Sequence, residues 1–184
     1  MSRQIAKLLA LLLVAGAAAC TTQTTRLRDQ ALAPYACDVQ LGVQPKALFL
    51  QHPNYRTAGE GIFWWQTLGP ENVRRRVSLR TDGSVVKWFQ IQDSPVAPKL
   101  ADEERRFAVE VERLNALFGY GKNETSRGGD ISEVVWKLPD RTVVALRLEV
   151  AGDAQTALRS LAIGYPEFNL EPASNPPTTF LPKR

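Results

Sequence analysis

Val73-Arg74-Arg75-Arg76-Val77-Ser78-Leu79-Arg80, then Thr81-Asp82-Gly83-Ser84, then Val85-Val86-Lys87-Trp88-Phe89-Gln90-Ile91, has the pattern of a strand, a tight turn and a returning strand. Side chains alternate between faces along a strand. Val73, Arg75, Val77 and Leu79 therefore share one face, and Arg74, Arg76, Ser78 and Arg80 the other. Asp82-Gly83 supplies the positive φ angles that a tight hairpin turn requires, so Val85–Ile91 returns beside the first run. Upstream, Ile62–Leu68 is rich in β-formers and ends at the turn cluster Gly69-Pro70-Glu71-Asn72. The three runs read as an antiparallel meander, closed by Asp93-Ser94-Pro95-Val96-Ala97-Pro98.

Working outward, Ala101–Phe118 reads as a helix. Phe107, Val111, Leu114 and Phe118 recur at spacings of four, three and four, which makes one apolar stripe. Asp102, Glu103 and Glu104 sit in its first turn, where negative charge complements the helix dipole, and Gly119 and Gly121 end it. A second set of strands follows: Ile131–Leu138, Arg141–Val150 and Leu158–Tyr165. The expected fold class is α+β, with two antiparallel three-stranded β-meanders flanking one amphipathic helix. In each set a Trp (Trp65, Trp136) precedes a Pro-containing turn, a long strand, a Gly turn and a return strand. The likeness reads either as an internal duplication, with Pro45–Gln51 the degenerate counterpart of the helix, or as the spacing any two meanders share.

The first twenty residues carry a different kind of information. Arg3 and Lys7 precede the apolar run Leu8–Val14, and Ala15-Gly16-Ala17-Ala18-Ala19 lead to Cys20. A positive start, a short apolar core and a small-residue end make a secretory signal. The uncharged run Leu8–Ala19 is about 18 Å long as a helix, short of a hydrocarbon core of about 30 Å. The ending Ala17-Ala18-Ala19-Cys20 resembles the lipobox of bacterial lipoprotein precursors. That resemblance implies cleavage before Cys20, diacylglycerol on its sulfur and acylation of the new N-terminus. The same Ala-rich ending also suits an ordinary signal peptidase. Thr21 in place of Asp, by resemblance to enterobacterial sorting, implies the outer membrane with the domain facing the periplasm. Leu117-Phe118-Gly119, Glu133-Val134-Val135-Trp136 and Leu146-Arg147-Leu148-Glu149-Val150, a helix end and the strands after it, resemble the SmpA/OmlA (BamE-like) lipoprotein domain over Leu100–Pro166.

The expected organisation is a signal peptide over 1–19, a lipidated N-terminus and tether over 20–36, one α+β domain over 37–170, and a Pro-rich tail over 171–184. Extended, the polar segment Thr21–Ala33 reaches about 45 Å. The formal net charge is +4, and falls to +2 once Arg3 and Lys7 leave with the leader, so the charge gives little reason to expect nucleic acid. If Cys20 is lipidated, Cys37 is the one remaining thiol, either a small buried hydrophobe or half of an intermolecular disulfide; without lipidation, a Cys20–Cys37 bridge is open to it.

Catalytic sets are not evident. His52, the one imidazole, lies in the turn-like Gln51-His52-Pro53-Asn54, and no Gly-x-Ser-x-Gly elbow, P-loop or dinucleotide fingerprint is present. One His and two Cys offer little for a metal, and no cofactor is implied. Gly128-Gly129-Asp130 reads as a turn. The basic feature is Arg74, Arg76 and Arg80 on one strand face, with Lys87 joining from the neighbouring strand. Guanidinium groups bind oxyanions bidentately, so this row suits an anionic glycan, a lipid headgroup or an acidic partner; the bland alternative is a solvated strand face. Trp64 and Trp65 point to opposite faces, one into the core and the other beneath an arginine stem or at an interface. The expected function is that of a non-catalytic, lipid-anchored envelope protein. It would meet the membrane through Cys20 and act as a structural or assembly module with an envelope protein partner. The alternative is a periplasmic binding module that uses the arginine face.

Overall fold

The computed structural model describes residues 22–69, 73–94, 99–125, 131–150 and 157–169. The leader, Cys20, the 171–184 tail and Gly128-Gly129-Asp130 lie outside the described residues. In chain order the elements are helix α1 (22–32), a 3-10 turn (Ala33–Tyr35), α2 (Pro45–Gln51), β1 (Arg56–Gly59), β2 (Ile62–Leu68), β3 (Arg74–Thr81) and β4 (Val86–Ser94). After them come α3 (Leu100–Phe118), β5 (Lys122–Thr125), β6 (Ile131–Lys137), β7 (Val143–Val150), β8 (Ala157–Gly164) and a last 3-10 turn (Pro166–Phe168).

The expectation of two three-stranded meanders flanking a helix is corrected by the sheet. All eight strands form one antiparallel sheet in the order β1-β2-β3-β4-β8-β7-β6-β5. The physical reason lies at the edges. A meander that ended on β4 or β8 would leave a long row of unpaired N–H and C=O groups on a strongly apolar strand. Pairing β4 with β8, from Trp88↔Gly164 to Asp93↔Arg159, satisfies both rows at once. The outer edges are then the short β1 and β5, which carry little exposed ladder. For β8 to return to β4, the chain must first cross to the far edge. The 19-residue α3, about 28 Å long, makes that crossing over one face.

The face that α3 crosses holds the core. Trp65, Val77, Ile91, Leu161, Leu146 and Val134 stand opposite one another across six strands, and Leu79, Phe89, Ile163, Val144 and Trp136 form the next row. Leu114 of α3, Leu48 of α2 and Ala31 and Leu32 of α1 close over them. Of the segment expected as a tether over 20–36, residues 22–32 form this docked helix. Thr24, Ala31 and Leu32 are buried and Leu27 and Arg28 half-buried, which is the 3.6-residue spacing of one helix face. Arg28 donates to Asp140 at 2.6 Å and to Thr142 at 3.2 Å, fixing one end of α1 to the β6–β7 turn. Arg113 of α3 donates to the carbonyls of Gln30 and Ala31 at 3.1 and 2.8 Å, so it satisfies acceptors that a helix end leaves open.

Two further groups lock helices to sheet. Asn115 Oδ1 accepts from the Gly121 amide and the Trp136 indole, each at 3.0 Å, and the indole also donates to the Gly119 carbonyl at 2.9 Å. At the other end of the strands Arg75 is buried rather than solvated. It donates bidentately to Asp93 at 2.7 and 3.0 Å and also to the Tyr35 carbonyl, while Arg159 stands 3.6 Å from Asp93. Tyr35 in turn donates to Glu110, which Arg113 holds at 2.6 Å. Burial, with Glu110 beside it, pushes the Tyr35 phenol well above its usual range, so it stays a neutral donor.

At the β4–β8 seam, Gly164 has no room for a side chain: a Cβ there would lie 2.5 Å from the Lys87 carbonyl and 2.6 Å from Trp88 Cα. Gly164→Ala is therefore expected to cost about 1–3 kcal/mol through overpacking, read as a lower midpoint in urea denaturation with an unchanged slope.

Candidate functional site

No described α-helix covers the second face of the sheet; at one end the last 3-10 turn packs Phe168 against Trp88, Val143, Ala145 and Ala162. Across it runs a polar row, set by register: Gln66 opposite Arg76, Arg76 opposite Gln92, Gln92 opposite Ser160, Ser160 opposite Arg147, and Arg147 opposite Glu133. The neighbouring row is smaller and more apolar, with Trp64, Ser78, Gln90, Ala162 and Ala145. A cavity of about 290 Å³ lies on these rows, lined by residues of every strand except β5. Small side chains at Ser78, Ser160, Ala162 and Ala145 leave the space, and the longer Trp64, Arg76, Arg147 and Glu149 surround it.

The expected basic row is dispersed by this geometry. Arg76 lines the cavity. Its guanidinium lies 4.4 Å over the Trp64 ring, so Trp64 is the tryptophan beneath an arginine and Trp65, 2% exposed, is the core member of the pair. Arg74 is exposed at the start of β3. Arg80 turns to the last 3-10 segment, 3.5 Å from the Asn169 carbonyl and 6.0 Å from the Phe168 ring. Lys87 does not share the row: unbroken alternation from Trp88 would set it opposite the buried Thr81 on the covered face, and the register slip between Arg80↔Trp88 and Thr81↔Val86 seats Val86 there instead. The bulge re-aims its side chain to Asp82 at 3.2 Å and to the Tyr165 ring.

Arg147, which is not among the residues of the expected basic row, joins Arg76 in the cavity. The signal was present in β7: Val143, Ala145, Arg147 and Glu149 alternate against Val144, Leu146, Leu148 and Val150, so two charged residues fall on the face away from the core. Arg147 bonds Glu149 at 3.2 Å. Arg76 has no acidic partner among the described residues. Burial alone lowers its guanidinium below the usual value, the sign of a cation taken partly out of water without compensation. Three buried N–H groups of cavity residues, Arg76 Nε, Trp88 Nε1 and Arg147 Nε, also lack an acceptor. Such groups are rare in native proteins, since each carries a desolvation cost.

Other sequence candidates sit elsewhere. His52 is half-buried, 2.9 Å from Asp38 and stacked on Trp65 at 4.3 Å, which gives it a packing role. Cys37 is half-buried and unpaired, and burial pushes its thiol up to about 11, so it is a poor nucleophile. Among the described residues, no group of three His, Cys, Asp or Glu could hold a metal ion, and no helix is long and apolar enough to cross a membrane. A second cavity of about 210 Å³ lies near Pro34, but its Arg75, Asp93 and Glu110 are engaged with neighbouring side chains. Compared with known proteins, the chain matches no family model, no curated protein and no solved structure.

Glu133 generates a pH prediction. Burial raises its carboxyl above the ordinary range, with Arg147 opposing and Glu124 reinforcing the shift. A raised folded-state value means that the protonated form is favoured on folding. Its stabilising effect is whole below the unfolded carboxyl range, near pH 4.3, and is lost as pH rises through the folded value. Glu133→Gln should raise Tm at pH 7–8 and leave it unchanged near pH 3.5, by calorimetry at both pH values.

Proposed function

We propose that this protein is a non-catalytic, lipid-anchored envelope protein that holds an anionic ligand, a glycan or a lipid headgroup, on the open face of its sheet. The observation that carries the reading is Arg76. Its cation lines a cavity, is partly desolvated and has no counter-charge among the described residues. An oxyanion supplies the missing charge and can accept from the guanidinium fork. Anchoring rests on the Ala17-Ala18-Ala19-Cys20 ending and places the domain at the outer membrane, facing the periplasm. Because α1 is docked over its described residues, 22–32, a lipid on Cys20 would hold the domain close to the bilayer. Close holding raises the effective concentration of the site for envelope ligands. The assembly-module reading has one supporting feature, Leu50 of α2, 79% exposed beside the stacked Phe49–Tyr55 pair, where an envelope protein partner would sit.

Immobilised full-length protein should retain anionic material from envelope extracts, and Arg76→Gln should weaken that retention about tenfold or more, since a hydrogen bond to a charged group is lost. Arg105→Gln, an exposed change on α3, is the control. Retention should also fall with added salt. Equal retention by Arg76→Gln and wild type contradicts the assignment.

A further inference from the structure

We infer that the open-face cavity takes a carboxylate-bearing saccharide and not a phosphate headgroup. The inference rests on the reading of this face as an anion site and adds the chemical class of the ligand.

The charge balance of the lining decides it. Two guanidinium groups and two carboxylates face the same cavity: Arg76, Arg147, Glu133 and Glu149. Arg147 is already bonded to Glu149. What remains is one uncompensated cation, Arg76, and one carboxylate, Glu133, without a hydrogen bond from a described residue. A phosphate near its second ionisation would bring up to two negative charges to a single free cation, with Glu133 and Glu149 in the same lining. Sites that select phosphate gather cations and exclude carboxylates. A ligand with one carboxylate matches the single free guanidinium and leaves Glu133 to accept hydrogen bonds.

The rest of the lining asks for hydroxyl groups. Between the charged residues lie Gln92 and Ser160, which both donate and accept. The unpartnered Trp88 indole N–H belongs to a side chain only 3% exposed, two residue pairs along the strand from the polar row, so it wants an acceptor at a second point of the ligand. A residue rise of about 3.4 Å puts that row about 14 Å from Arg76. Acceptors spread over such a span, each paired with a donor, describe a polyol with one acid rather than a compact anion. A volume of about 290 Å³ is at the small end for ligand cavities, which fits one or two sugar rings.

The test uses the full-length chain in a polyoxyethylene detergent, titrated calorimetrically with lactobionate, which carries one carboxylate, with lactose, its uncharged counterpart, and with glycerol 3-phosphate. Lactobionate should bind about tenfold or more tightly than either of the others. Arg76→Gln should abolish that preference over lactose. Gln92→Ala, which removes an amide without touching charge, should weaken lactobionate about threefold to tenfold, and so keeps the test open if the arginine variant misfolds. Glycerol 3-phosphate binding as tightly as lactobionate overturns the ligand class and leaves the anion site standing. Lactose binding equally well overturns the role of charge. Binding of none of the three overturns both the class and the anion site.

Discussion

The pairing of β4 with β8 holds the two halves of the chain in one sheet. Six residue pairs, Trp88↔Gly164 through Asp93↔Arg159, turn two strand sets into one sheet. The seam explains three local features. Gly164 has no Cβ because the Lys87 carbonyl and Trp88 occupy the space. Arg75 can be buried because Asp93, on the adjacent β4, meets it bidentately and Arg159 reaches Asp93 from across the seam. A buried pair of this kind is strongly destabilising to break, since removing one partner leaves a charge in a low-dielectric site. The α3 crossover must also be long, because β5 starts at the far edge and β8 ends in the middle.

One sheet with helices on one side has two unlike faces, and strand alternation writes both into the same residues. In β3 the odd positions Arg75, Val77, Leu79 and Thr81 are buried, and the even positions Arg76, Ser78 and Arg80 are half-buried on the open side. The covered rows are apolar and filled by α1, α2 and α3. The open rows combine small residues with amides, hydroxyls and charges, and keep a hollow where a closed core would have side chains. A polar hollow with unpaired donors costs stability, and that cost is the physical reason to assign the ligand site there rather than to the surface loops.

Much of this was legible in the sequence and some was not, for identifiable reasons. The alternation in Val73–Arg80, the Asp82-Gly83 turn and the Phe107-Val111-Leu114-Phe118 stripe are short-range signals, and β3, β4 and α3 follow them closely. β1 and β5 were missed because Arg56–Gly59 and Lys122–Thr125 are short edge strands with no apolar alternation. α1 was missed because its buried face is carried partly by Thr24 and Ala31, which do not stand out as core. The seam could not be read locally, since residues more than sixty positions apart choose one another through edge pairing and core packing. The same holds for the site. Parity put Arg76 on the open face, but the register Arg80↔Trp88 is needed to see that Lys87 lies off it, and only the three-dimensional register adds Arg147.

The central claim is that ligand binds the open face and leaves the covered face untouched. The four tryptophans divide evenly between them, Trp64 and Trp88 on the open side, Trp65 and Trp136 on the covered side. A ¹H–¹⁵N spectrum of the indole N–H groups, recorded while lactobionate is added, reads both faces at once. The account predicts that the Trp88 resonance moves most, with Trp64 following, while Trp65 and Trp136 stay in place. Shifts confined to Trp65 and Trp136, or a Trp88 signal that never moves at saturating ligand, would contradict it.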